Sequence, residues 1–402
     1  MVTRSQFRFV TALLVSTGLA STAAVPIAAE SAPYTAAAAT QAGSAPSATS
    51  PLAQFAPQTE RREHRIDYQH WDEALAWMVV PMGPSIRHGS SRVQPGTGTR
   101  RIYGHESRLR LEGNRVAFSF LTPQMKLSLS EYRADLERVG TQLDITSLPR
   151  NEQLAYWLNL HNVAMIEAVA DRYPLTELDE EKSVDDIKLV TVNGVALSPR
   201  DIREGIVYPN WRDPKVIYGF WRGIIGGPSI QRLAFSGGNV DALLALSAEE
   251  FVNSLRGVER WGGSLRVSPI YEEAQGFYFA DDEALRSHLS QYGRQDVRDL
   301  VSRTPQVAFK GFENDIADLA RGELEPIYSN IAVVDCNGTC TKDMINQGNA
   351  LPQRTRYNPA IVRLMEERAQ KLEIARREGI RTGMVIYGDG DYAPGETPPE
   401  VE

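Results

Sequence analysis

The stretch from Asn151 to Pro174, NEQLAYWLNLHNVAMIEAVADRYP, constrains the fold more than any other part of the chain. Apolar residues occur on every side of a helix drawn through it, and a helix that is apolar all round belongs inside a core. Trp157 is expected in that core, and Pro174 marks the end of the helix. Three polar side chains, Asn159, His161 and Asn162, interrupt the pattern. Asn159 and Asn162 are three apart and so project from neighbouring positions on one helical face. An amide buried without a partner costs about 1–3 kcal/mol, so each must meet one. Two roles stay open for the pair: pinning neighbouring loops to the central helix, or forming the wall of a ligand cleft. His161 reads as part of the same network or as a surface residue. It is a weak catalytic candidate, because no matching acid or nucleophile stands beside it in the sequence.

Around that helix the patterning predicts an α+β fold, a helix-rich single domain built on a small, mostly antiparallel sheet. In DYQHWDEALAWMV, Trp71, Leu75 and Met78 recur at helical spacing, with Asp67 as cap and Ile66 placed to pack on Trp71. LSLSEYRADLERV reads as another helix. IKLVTVNGVALSPRDIREGI reads as strand, Asn193-Gly194 turn, strand and helix, since Asn-Gly between apolar runs accepts the two positive φ angles of a tight hairpin. PKVIYGFW is β-branched and aromatic enough for a buried strand, and GGSLRVSPIYE and PQVAFKGF read as extended. Helices are expected over VDALLALSAEEFVNSL, DEALRSHLSQYG and QDVRDLVSR. The last, NPAIVRLMEERAQKLEIARREG, carries Asn358 as cap, Pro359 at the first position and Gly379 at the stop. Its expected apolar stripe is Ile361, Leu364, Met365, Ala369 and Leu372, with Arg368 snorkelling to solvent. Asp185 and Asp186, in an acidic patch from Glu177, are expected to be solvated.

Arg4 and Arg8, the apolar stretch Phe9–Leu19 and the small residues Ile27-Ala28-Ala29 read as an export signal cleaved after Ala29, which implies a periplasmic or secreted protein. Residues 30–60, rich in Ala, Ser and Pro, read as a disordered linker. A folded region is expected over 61–330, followed by an extension over 331–402 with one helix and an acidic tail. The chain of 402 residues has a formal charge of −8, which becomes −10 when Arg4 and Arg8 leave with the signal. That balance argues against nucleic-acid partners. No later stretch approaches the roughly 18 apolar residues needed to span a bilayer. Cys336 and Cys340 are expected to form a short disulfide in an exported protein. Their three-residue spacing lacks the CxxC redox pattern, and no histidine pair stands at metal-ligand spacing beside them.

The pattern Asn151-x-x-Leu154-Ala155-Tyr156-Trp157-Leu158-Asn159-x-x-Asn162 resembles the signature of the domain of unknown function 547 family, with His161 at a position usually held by Tyr. The resemblance extends over about residues 66–319 and implies architecture rather than a reaction. Typical members carry a His and then a Cys-x-x-x-x-Cys-Pro segment. Laid on KVIYGFWRGIIGGPSI, the His position falls on Ile217 and the Cys positions on Arg222 and Gly227, while Pro228 persists. In the closing segment Lys310 and Gly311 replace Asp and Trp. What chemistry remains is thin. Ser229 lacks a G-x-S-x-G elbow, and no Walker loop or dinucleotide fingerprint implies a cofactor. The reading that survives is a non-catalytic exported domain binding a peptide, small ligand or envelope component through Asn159, Asn162, Tyr218 and Arg222. The alternative is a hydrolase or transferase acting on peptide-like envelope material with His161 or Ser229.

Overall fold

The computed structural model describes residues 50–88, 104–178, 184–323 and 358–381. The fold is α+β and helix-rich, with its strands distributed over three small sheets rather than one. The expected export signal, the Cys336–Cys340 pair and the acidic tail lie outside the described residues.

Helix α3 (Arg150–Arg172) is the axis, and every residue from Glu152 to Ile166 is buried. Helix α2 (Pro123–Gln142) packs along it, as do the segment Asp201–Val207 and α5 (Val240–Val252). The approach of α2 to α3 depends on Gly140. The Tyr156 hydroxyl, which donates to Leu136 O at 3.1 Å, passes 2.0 Å from where a Cβ at that position would lie. Any larger residue at this position would have to displace the buried Tyr156 ring.

Helix α1 (Gln69–Met78) buries Trp71, Leu75 and Met78 at the expected spacing, and Asp67 accepts from the first helical amide at 2.9 Å. It runs into β1 (Val79–Pro81), which pairs antiparallel with β2 (Asn114–Val116). The Asn-Gly hairpin is present as β3 (Val190–Val192) and β4 (Val195–Leu197), with φ of 48° at Asn193 and 75° at Gly194. The following helix, Asp201–Val207, has π-helical bonding and continues into the single turn α4 (Tyr208–Asn210). The third sheet is mixed. Strands β5 (Val258–Trp261) and β6 (Ser264–Val267) pair antiparallel across Gly262-Gly263, and β6 pairs in parallel with β7 (Gln306–Phe309). The crossover between those two strands carries α6 (Pro269–Tyr278), α7 (Asp282–Tyr292) and α8 (Gln295–Arg303).

Several expectations are corrected. Order begins earlier than the linker composition suggests: Pro51–Phe55 forms a 3-10 turn, and Phe55 is buried edge-on against Trp157, ring centroids 5.2 Å apart. PKVIYGFW is buried as expected but is not a strand. Pro214–Gly219 forms a 3-10 helix, because Asp213 caps the Lys215 amide at 3.0 Å and Pro214 supplies a helical φ. The last helix, α9 (Pro359–Arg377), has the predicted Asn358 cap and a positive φ at Gly379, but its buried face is shifted. Ala360, Leu364, Glu367, Lys371 and Ala375 face inward. Glu367 pairs with Arg110 and Arg363, and Lys371 donates to the carbonyls of Gly83 and Leu111. Arg368 is partly exposed and donates through Nε to Pro81 O at 2.6 Å. Among the described residues no helix is long and apolar enough to cross a membrane.

Candidate functional site: a charged pocket beside the central helix

The two asparagines of α3 act as clamps on backbone. Asn159 donates through Nδ2 to Phe235 O at 2.7 Å and accepts from Phe235 N at 3.0 Å. Asn162 donates to Gly219 O at 2.9 Å and accepts from Trp221 N at 3.0 Å. Both are buried, and each reaches one backbone donor and one backbone acceptor on a segment distant in sequence. A primary amide carries its donor and its acceptor on two separate atoms, so one short side chain can pair with a backbone carbonyl and a backbone amide side by side. Asn162 therefore fixes the segment that carries Arg222.

His161 sits between this clamp and a set of charges. Its Nδ1 lies 3.0 Å from Asn162 Oδ1, an acceptor, and its Nε2 lies 3.1 Å from Arg203 Nη1, a donor. The network thus assigns a neutral imidazole protonated on Nδ1. Burial, reinforced by the Arg203 guanidinium, pushes its pKa down to about 3. Beyond it, Arg203 and Arg222 alternate with Asp185 and Glu273. Arg203 grips Asp185 with both terminal nitrogens, at 3.0 and 2.9 Å, and meets Glu273 through Nε at 3.1 Å. Arg222 reaches Asp185 at 2.8 Å and Glu273 at 2.6 Å. Tyr208 also donates to Glu273 Oε1, at 3.2 Å. Burial alone would raise the Glu273 carboxyl, but the two guanidiniums override it and hold the pKa at about 2. Asp185 is held far below its ordinary range for the same reason, after the same opposing effect of burial. Contrary to the sequence reading, Asp185 is not solvated: its side chain is 18% exposed, against 61% for Asp186, which pairs with Arg200.

A pocket of about 310 Å³ opens over this quartet. Arg222, Asp185 and Glu273 form its charged floor, Asp186 and Arg200 stand at its edge, and Met165, Leu178, Val184, Ile224 and Phe312 give it apolar walls. Every hydrogen bond made by Glu273 to protein falls on Oε1. Of the binding and catalytic candidates drawn from sequence, Asn159, His161, Asn162, Tyr218, Arg222 and Ser229, Arg222 alone lines this pocket; Asp185 and Asp186, read from sequence as solvated acids, line it as well. Tyr218 is fully buried instead, its hydroxyl 2.8 Å from His288 Nε2 and 3.2 Å from Tyr271. Ser229 lies in a different network, donating to Glu250 at 3.0 Å and accepting from Arg256 at 3.2 Å. It shares no hydrogen bond with His161. Among the described residues no group of three or more His, Cys, Asp or Glu side chains is placed to hold a metal ion.

Arg203 and Glu273 were not singled out from sequence. A usable signal existed: each is a charged residue within an apolar helical stripe, Arg203 with Ile202, Ile206 and Val207, and Glu273 with Ile270, Tyr271 and Ala274. A charge on a buried face demands a buried partner.

The stretch from Ile145 to Val252 holds α3, the β3–β4 hairpin, Arg203, Arg222 and α5 in one continuous unit. Residues 145–252 match the family model described as a protein of unknown function, DUF547. The chain carries a DUF547-like domain. Both asparagine clamps, His161 and the two arginines of the quartet fall within the DUF547-like stretch, whereas Glu273 lies beyond it. So do the outer parts of the resemblance drawn over 66–319. No curated protein and no solved structure matches the chain.

Proposed function

We propose that the chain is an exported, non-catalytic binding protein that takes up a short peptide or similar small zwitterion of the cell envelope in the pocket over Arg222 and Glu273. The observation that carries this reading is the pairing of both charge signs with apolar walls in one open pocket of about 310 Å³. Ligand sites are concave and mostly apolar, with a few fixed polar groups that set orientation. A ligand ammonium is served by Glu273 Oε2 and Asp186, a carboxylate by Arg200, and an apolar side chain by Phe312 and Ile224. The export reading rests on Arg4, Arg8 and the apolar stretch Phe9–Leu19. A hydrolase or transferase on peptide-like envelope material has less to support it, since His161 is buried and neutral and Ser229 lies in a separate network.

A thermal-shift screen of protein lacking residues 1–29, against peptides, peptidoglycan fragments and small carboxylates, tests the reading. A ligand present at a hundred times its dissociation constant adds about 2.7 kcal/mol to stability. The expected hit carries both charges and is lost in Glu273→Gln while the variant keeps its helical circular dichroism. A panel with no hit, or a hit that Glu273→Gln leaves intact, overturns it.

A further inference from the structure

A second pocket, of about 200 Å³, lies over the mixed sheet. Arg108, Arg266 and Lys310 line it, with Glu259, Glu313 and Trp261. The Trp261 ring is 60% exposed, and it holds two guanidiniums: Arg108 at 5.9 Å and Arg266 at 5.3 Å from its centroid. Such contacts fix the planes of long cationic side chains that would otherwise be mobile. Lys310 is anchored below, donating to Leu255 O at 2.6 Å with its side chain 9% exposed. Glu259, almost fully buried, pairs with Arg108 and stands 3.8 Å from the Lys310 amine. Arg266 makes no ion pair among the described residues. The three cations exceed the two acids of this pocket in a chain whose formal charge is −8, and Arg87 and Arg260 line an adjoining pocket that shares Arg108. The same stretch of chain divides the two sites, with Gly311 and Glu313 lining this one and Phe312 and Asn314 the other.

We propose that this pocket binds a phosphate group, held by Arg108, Arg266 and Lys310 with Trp261 positioning the two guanidiniums. Three cationic groups around so small a space suit a tetrahedral oxyanion, which offers three free oxygens where a carboxylate offers two. The volume favours a small phosphate ester or an exposed headgroup over a larger ligand.

Isothermal titration with inorganic phosphate and glycerol phosphate, at about 0.15 M ionic strength so that unspecific attraction is screened, tests the proposal. Saturable binding is expected, weakened roughly tenfold or more in Arg266→Ala, the loss typical of a charge-assisted hydrogen bond. Arg303→Ala removes the same charge from a side chain 80% exposed elsewhere on the surface and should leave binding unchanged. Trp261→Ala, which removes an exposed ring without touching the core, should weaken binding while the fold persists. Sedimentation with phosphatidic-acid vesicles that Arg266→Ala abolishes would assign the phosphate to a lipid headgroup; saturable binding of the soluble esters without sedimentation would assign it to an ester. No saturable binding of any phosphate, or equal losses in Arg266→Ala and Arg303→Ala, overturns the proposal.

Discussion

Replacing Asn159 by alanine removes both hydrogen bonds to Phe235, the 2.7 Å donation and the 3.0 Å acceptance, at a site where Asn159 is 1% exposed. Phe235 is itself buried, so its amide and carbonyl find no water in compensation. Each orphaned buried group costs about 1–3 kcal/mol, giving a total loss of about 2–6 kcal/mol. That is a large part of the roughly 5–15 kcal/mol by which a domain is stable. Urea unfolding followed by tryptophan fluorescence should show a lower midpoint with an unchanged slope, because the surface exposed on unfolding is the same. Asn159→Asp should fare no better, since it restores the acceptor for Phe235 N–H but sets a carboxylate against the Phe235 carbonyl. A loss below about 1 kcal/mol at constant slope would refute the claim that this amide pins the Phe235 segment.

Further outcomes follow from the same geometry. Burial holds His161 at about 3 and His288 at about 4, both below the unfolded value of 6.5. Between those limits the unfolded chain binds more protons, so stability falls as pH drops below about 6.5, by up to about 1.4 kcal/mol per pH unit for each histidine. Denaturant midpoints between pH 7 and 5 should show this slope, and His288→Phe should reduce it. Glu367→Ala should cost about 3–5 kcal/mol by breaking the buried ion pair with Arg110, measured by the same unfolding assay. Ser229 should resist a fluorophosphonate probe, because a carboxylate and a guanidinium hold its hydroxyl and no imidazole does; stoichiometric labelling read by mass spectrometry would revive the hydrolase reading.

Elements with a strong local cause could be read directly from sequence. Asn193-Gly194 set a hairpin, Asn358-Pro359 started a helix where it was expected, and the all-round apolarity of α3 placed it at the centre. What could not be read came from tertiary partners. Pro214–Gly219 has strand-like composition, but its cap and proline decided otherwise, and burial satisfied its aromatics equally well as a 3-10 helix. Strand β5 was missed although Gly262-Gly263, a recognised hairpin signal, follows it directly. The candidate site was the least legible part. Arg222 was identified, but Asp185 was read as surface, since nothing local reveals that Arg203 and Arg222 close over it. Unlike Glu273, which interrupts an apolar helical stripe, Asp185 is recognisable as buried only once its cations are in place. The shifted face of α9 has the same origin: Glu367 and Lys371 look solvent-facing until Arg110 and the carbonyls of Gly83 and Leu111 are seen opposite them.

The most direct test of the central claim, that the pocket over Arg222 and Glu273 receives a zwitterion, is a calorimetric titration of a dipeptide with an apolar side chain against its N-acetylated form. The account predicts that the free dipeptide binds and that acetylation, which removes the ammonium facing Glu273, weakens binding by roughly tenfold or more. Equal affinities for the two forms, or binding of neither, would contradict it.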